Sequence, residues 1–206
     1  VPAPQPASGL PPGASRLRLP ALLRALRHRN YRLFFGGQLI SLTGTWMQSV
    51  AQGWLVLRLT DSPAWLGVVA AAMSVPALLF SLPAGTLADR VPRRSVLVTT
   101  QTCAMLLALT MALLTFSGRI QVWHIILLAA LLGMVNAFDA PTRQAFTIEM
   151  VGREDLLNAI ALNSSMFNTA RTLGPAVAGI VVATVGEATA FLVNGLSYTA
   201  VIVSLL

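Results

Sequence analysis

Gln38, Ser41, Thr45, Gln48 and Gln52 recur at intervals of three, four, three and four residues within an otherwise apolar run. That spacing places them on one face of an α-helix, with Ser49 beside them. A row of amides and hydroxyls holds no nucleophile and no base, so its chemistry is recognition or interhelical hydrogen bonding. A later run repeats the pattern with Ser164, Ser165, Asn168, Arg171 and Thr172, and its face continues through Pro175 and Gly179. Arg171 lies about fifteen residues into that run, an expensive place for a cation. It predicts a bound anion or an ion pair, with Asp139 as one candidate partner and a carboxylate outside this chain as another. Asp139 and Arg143 stand one helical turn apart and can pair with each other. Asn136 adds an amide one turn before Asp139. The polar faces predict a central aqueous cavity with Gln38, Ser41, Thr45, Gln48, Gln52, Asn136, Ser164, Asn168 and Arg171 on its walls.

The elements that carry these residues are set by composition. Apolar types make up 55% of the 206 residues and charged types 10%, with a mean hydropathy of +0.72. A wetted globular surface needs roughly 25% charged residues, so this surface suits hydrocarbon. The net charge of +7 is carried by arginines alone. They fall between apolar runs, where anionic headgroups rather than nucleic acid are the expected partners. Cys103 is the single cysteine, read as a small core residue, and His28 and His124 are far apart. No metal-ligand spacing, phosphate loop or nucleophile elbow occurs. No catalytic residue, metal or cofactor is therefore expected, and the chain does not read as an enzyme.

The fold class is all-α. Six apolar runs, at about 33–58, 64–88, 93–116, 121–139, 156–184 and 187–206, are each long enough to cross a hydrocarbon core of about 30 Å. They predict a six-helix transmembrane bundle over 33–206. Residues 1–15, rich in Pro, Gly and Ala, read as a disordered leader. Residues 16–32 read as a basic amphipathic segment, with Leu19, Leu22, Leu23 and Leu26 on one face in the headgroup layer. Arg16, Arg18, Arg24, Arg27, Arg29 and Arg32 precede the first run; Arg90, Arg93 and Arg94 follow the second, and Arg143 and Arg153 the fourth. Only Arg58 and Arg119 lie on the other side, so the positive-inside rule places the N-terminus in the cytoplasm. Val1 in place of Met, and a sixth run that reaches Leu206 without a polar flank, lead us to expect chain beyond both ends.

Prolines interrupt the second run at Pro76 and Pro83 and the fifth at Pro175, corresponding positions if the six spans form two three-helix repeats. Between the second and third runs the chain reads Gly85-Thr86-Leu87-Ala88-Asp89-Arg90-Val91-Pro92-Arg93-Arg94. This resembles the major facilitator superfamily signature Gly-x-Leu-Ala-Asp-Arg-x-Gly-Arg-Arg, with Pro92 where glycine is usual. Proline is well tolerated at the first position of a helix. The resemblance implies a cytoplasmic gate motif at Gly85, Asp89, Arg90, Arg93 and Arg94, with Asp89, Arg90 and Arg94 latching two halves together. In the fifth run, Ala161, Ala170, Gly174-Pro175 and Ala178-Gly179 partly match the glycine-rich pattern of exporters in that superfamily. The segments Asn30–Gln38, Asn136–Phe146 and Gly152–Asn168 are similar to the transmembrane secretion effector subgroup that includes enterobactin exporters.

Over 20–206 the resemblance implies the N-terminal half of a twelve-helix transporter in a bacterial plasma membrane. The implied activity is proton-coupled export of a small amphipathic or hydrophobic compound by alternating access, with a C-terminal six-helix half as partner. Asp139 or Asp89, near helix ends, or a group in that other half would carry the proton. An importer or symporter, or a non-transporting scaffold or receptor on the same fold, are the alternatives.

Overall fold

The structure is a computed structural model that describes residues 23–88 and 91–206. The leader expected over 1–15, the first part of the basic segment, Asp89 and Arg90 lie outside the described residues. A short 3-10 turn, Arg24–Arg27, leads into six helices: α1 (Arg29–Thr60), α2 (Ala64–Ala88), α3 (Arg93–Phe116), α4 (Val122–Val151), α5 (Leu156–Val185) and α6 (Glu187–Leu205). Helix is what an apolar run must adopt in lipid, because only a helix satisfies its backbone hydrogen bonds internally.

The connectors are short and each has a local cause. Asp61 takes a left-handed conformation (φ 50°) and its N–H caps Leu57 O at the end of α1. Gly186 (φ 83°) alone joins α5 to α6. Gln121 and His124 form a reciprocal capping box at the start of α4, with Gln121 N donating to His124 Nδ1 at 3.1 Å. His124 is thus a capping residue.

Four helices, α2, α3, α4 and α6, are long and apolar enough to cross a membrane by length and composition. Helices α1 and α5 are 32 and 30 residues long but carry the polar faces, which lower their hydropathy. The fourth helix also differs from its expected limit. Instead of ending at 139 it continues through Pro141 to Val151. Burial of its last turns explains this: Phe146 packs with Phe34, Leu97, Val201 and Leu205, and Val151 with Ala25, Tyr31 and Ala159. Residues 140–151, read from sequence as a charged connector, are therefore helix, and Asp139 stands mid-helix rather than at a helix end.

Helix α2 packs on α4, α4 on α3, α3 on α6, α6 on α1, and α1 on α5. Exchanging α1–α3 with α4–α6 maps this order onto itself, so the bundle is two interlocked three-helix repeats. Small residues set the closest approaches. A Cβ on Gly133 of α4 would run into the Met73 carbonyl of α2, and one on Gly44 of α1 would lie 2.6 Å from Asn194 Oδ1 of α6. The core between the layers is Met47, Leu55, Met111, Ile125 and Phe191 with their neighbours.

Candidate functional site

The α1 stripe divides into two functions. Gln38, Ser41 and Thr45 line a central cavity of ≈250 Å³, with Trp46 beside them. Asn136, Asp139 and Arg143 of α4 face it, as do Gln101 of α3, Phe167 of α5 and Tyr198 of α6. Thr45 Oγ1 and Tyr198 OH share a hydrogen bond of 3.3 Å across the cavity wall. Gln48 instead accepts a 2.7 Å bond from Asn194 Nδ2 in a buried contact between α1 and α6. It acts as interhelical glue, and Gln52 is not among the residues that line the cavity.

Asp139 is 2% exposed and is the hub of a network spanning three helices. Its Oδ1 accepts from Thr100 Oγ1 and Gln101 Nε2, both at 2.8 Å, and its Oδ2 accepts from Arg143 Nη2. Arg143 Nη1 then donates to Gln38 Oε1 of α1 at 3.1 Å. A charge taken out of water needs this many partners, since the bare desolvation cost is several kcal/mol per ion. Thr100 and Gln101 escaped the sequence reading. Their signal was the polar string Thr99-Thr100-Gln101-Thr102 inside an apolar run.

The structure does not bring Arg171 to Asp139. Its guanidinium lies 5.8 Å from the Trp46 ring centroid, a cation–π distance, on the exposed face of α5. The expected pair with Asp139 is replaced by Arg143, which reaches Asp139 from the next turn of the same helix. Ser164 and Asn168 are exposed and line an outer recess of ≈540 Å³ between α4 and α5. Gly174 is buried where α5 crosses α1, and a Cβ there would meet Trp46; Gly179 faces open space, and Pro175 lies inside the helix.

At the arginine-rich end, Arg93 pairs with Glu149 at 3.4 Å and Arg94 donates to the backbone oxygens of Leu205 and Leu206. A Cβ added on Gly85 would meet nothing within 4 Å among the described residues. The turn before α1 docks on the α4–α5 connector rather than standing alone. Ala25 is fully buried and its N–H donates to Asn158 Oδ1 at 2.8 Å. Buried Asp155 is hydrogen-bonded to His28 at 2.9 Å and forms ion pairs with Arg24 at 2.8 Å and Arg27 at 2.9 Å. The His28 hydrogen bond, followed by the two arginine charges, holds its carboxylate below the ordinary range. Leu23, half of the expected apolar face that is described, points outward.

Two interlocked three-helix repeats enclose a polar cavity with aromatic side chains in its lining, the architecture of one half of a major facilitator superfamily bundle. The chain belongs to the transmembrane secretion effector family, whose profile matches residues 21–206. It is similar to a staphyloferrin A transporter of Staphylococcus aureus, with 30% identity over 168 residues, covering 81% of this chain and 42% of that protein. It is also similar to the multidrug efflux pump Tap of Mycolicibacterium fortuitum, at 28% over 148 residues, covering 69% and 36%. The Tap pump of Mycobacterium tuberculosis strain H37Rv matches at 26% over 167 residues, covering 78% and 39%. The chain thus spans about two fifths of the length of the curated relatives it matches. No solved structure matches it.

Proposed function

We propose that the protein is a secondary active exporter that expels a small amphipathic or hydrophobic compound by alternating access, driven by protons. The observation that carries this reading is the cavity itself, lined by amides, hydroxyls and an ion pair together with Trp46, Phe167 and Tyr198. Such a lining binds a molecule with an apolar body and a few polar groups. Export is favoured over import by the efflux pumps among the relatives and by the Gly174-Pro175 pattern in α5. The proton is assigned to Asp139, the carboxylate buried mid-span among the described residues, because its ion pair with Arg143 gives it two alternative partners, a guanidinium or a proton. Arginine placement supports a cytoplasmic N-terminus, and the protein would sit in the plasma membrane. A second six-helix bundle would close the cavity on the side of the exposed α5 face. The gate motif, Gly85 to Arg94, would latch the two bundles.

The test uses full-length protein in proteoliposomes with an imposed pH gradient and a panel of amphipathic fluorescent dyes. Wild type is expected to move dye only when the gradient is present. Asp139→Asn is expected to lose at least about tenfold of gradient-driven flux while still binding dye. Equal flux with and without the gradient removes the proton-coupling assignment, and accumulation in place of depletion in whole cells reverses the direction.

A further inference from the structure

Gln38, Leu42, Arg143 and Phe167 line the central cavity and also a second one of ≈340 Å³, whose walls include Phe34, Phe35 and Thr147. The second cavity lies toward the start of α1 and the end of α4. The 3.1 Å bond from Arg143 Nη1 to Gln38 Oε1 therefore spans a partition between two chambers in series. The chemistry of this bond fixes the orientation of the amide. A guanidinium has donors only, so the amide oxygen must face it, and Gln38 Nε2 is left as a donor. Gln38 is 2% exposed, and neither its Nε2 nor Arg143 Nε has a protein hydrogen-bond partner. Asp139, the carboxylate in the lining of the central cavity, accepts from Thr100, Gln101 and Arg143 Nη2 and pairs with neither free donor. Gln101 Oε1, in the lining of the central cavity, also lacks a protein partner. Buried polar groups in native proteins are almost always paired with protein or ordered water, so these groups call for partners from outside the protein, and the two donors for an acceptor.

We infer that Gln38 Nε2 and Arg143 Nε form a recognition site for a carboxylate on the transported molecule, whose apolar body lies against Trp46 and Phe167. The inference rests on the transport-cavity reading above and narrows its substrate class. Two oxygens that only accept match two donors, and charged hydrogen bonds are the stronger kind. Trp46 and Phe167 meet edge to face with ring centroids 5.6 Å apart and supply the apolar wall. Both donors are enclosed while the bridge is closed, so the carboxylate reaches them as Gln38 and Arg143 part. A ligand bonded only in the parted state shifts the population toward it, which makes substrate binding open the partition.

The experiment measures equilibrium binding of 1-naphthylacetate, its methyl ester and 1-ethylnaphthalene to full-length protein in nanodiscs, against empty nanodiscs. Wild type is expected to prefer the acid over the hydrocarbon by about a hundredfold or more, each of the two charged hydrogen bonds supplying about tenfold or more. Gln38→Glu keeps an acceptor for Arg143 but turns the free donor into an acceptor, and Gln38→Met removes both. In each, the acid-to-hydrocarbon ratio is expected to fall by about tenfold or more, the loss of one of the two charged hydrogen bonds, with Arg143 Nε keeping the remainder. The ratio within one variant does not depend on how much of it is folded. Equal binding of acid and hydrocarbon to wild type, an ester as tight as the acid, or an unchanged ratio in both variants overturns the carboxylate site while the cavity stands. Failure of every probe to bind wild type overturns the cavity reading with it.

Discussion

Asp139 and Arg143 are held by each other and by their neighbours, so the cost of removing one is set by the charge left behind. A buried pair broken from one side typically costs about 3–5 kcal/mol, whereas replacing both partners by apolar groups is often neutral. Arg143→Met is therefore expected to destabilise the folded protein by about 3 kcal/mol, and Asp139→Leu/Arg143→Met to recover most of that loss. Thermal unfolding in detergent, followed by tryptophan fluorescence, measures both. A double variant no more stable than the single one refutes this account of the pair. Arg171 offers a contrast. On the exposed face of α5 against Trp46, it is stabilised by a ring rather than a carboxylate.

Between helices, small residues decide how near the backbones come. The α2–α4 contact rests on Gly133 against the Met73 carbonyl, and no flexible side chain is there to give way. Gly133→Ala should force the helices apart at a cost of about 1–3 kcal/mol, the range for overpacking. Gly179→Ala in α5 meets nothing within 4 Å and is expected to be neutral or to gain up to about 1 kcal/mol from helix propensity. Unfolding in a mixed-detergent titration distinguishes the two, and equal effects would remove the close-approach argument. The same scale explains why α4 outruns its apolar run. Its last turns find apolar partners on α1, α3, α5 and α6, which offsets the backbone bond lost at Pro141.

For the molecule as a whole, the alternation of six helices places three of the five connectors on one side of the bilayer and two, with the segment before α1, on the other. The proposed orientation, with the segment before α1 on the cytoplasmic side, rests on the arginine count. With Cys103→Ala as background, Ser62→Cys and Ser117→Cys are expected to react with a membrane-impermeant maleimide in intact cells, whereas Arg153→Cys should react only after lysis. The reverse labelling pattern would invert the orientation.

Much of this architecture was legible before any coordinate. Apolar run length gives the helices, turn residues give their connectors, the three-four spacing gives the α1 stripe, and the Gly85–Arg94 segment points to the superfamily. These are local properties, since periodicity and composition act within one element. Tertiary structure alone decided which neighbour each face meets. It sent Gln48 to Asn194 and Gln38 to Arg143, made Asp139 a mid-helix hub with Thr100 and Gln101, and left Arg171 outside. The physical reason is that a helix face is set by its own sequence, whereas the partner of that face is set by how distant helices pack. The site depends on residues 38, 101, 139 and 143, which lie on three helices and come together only in the folded bundle.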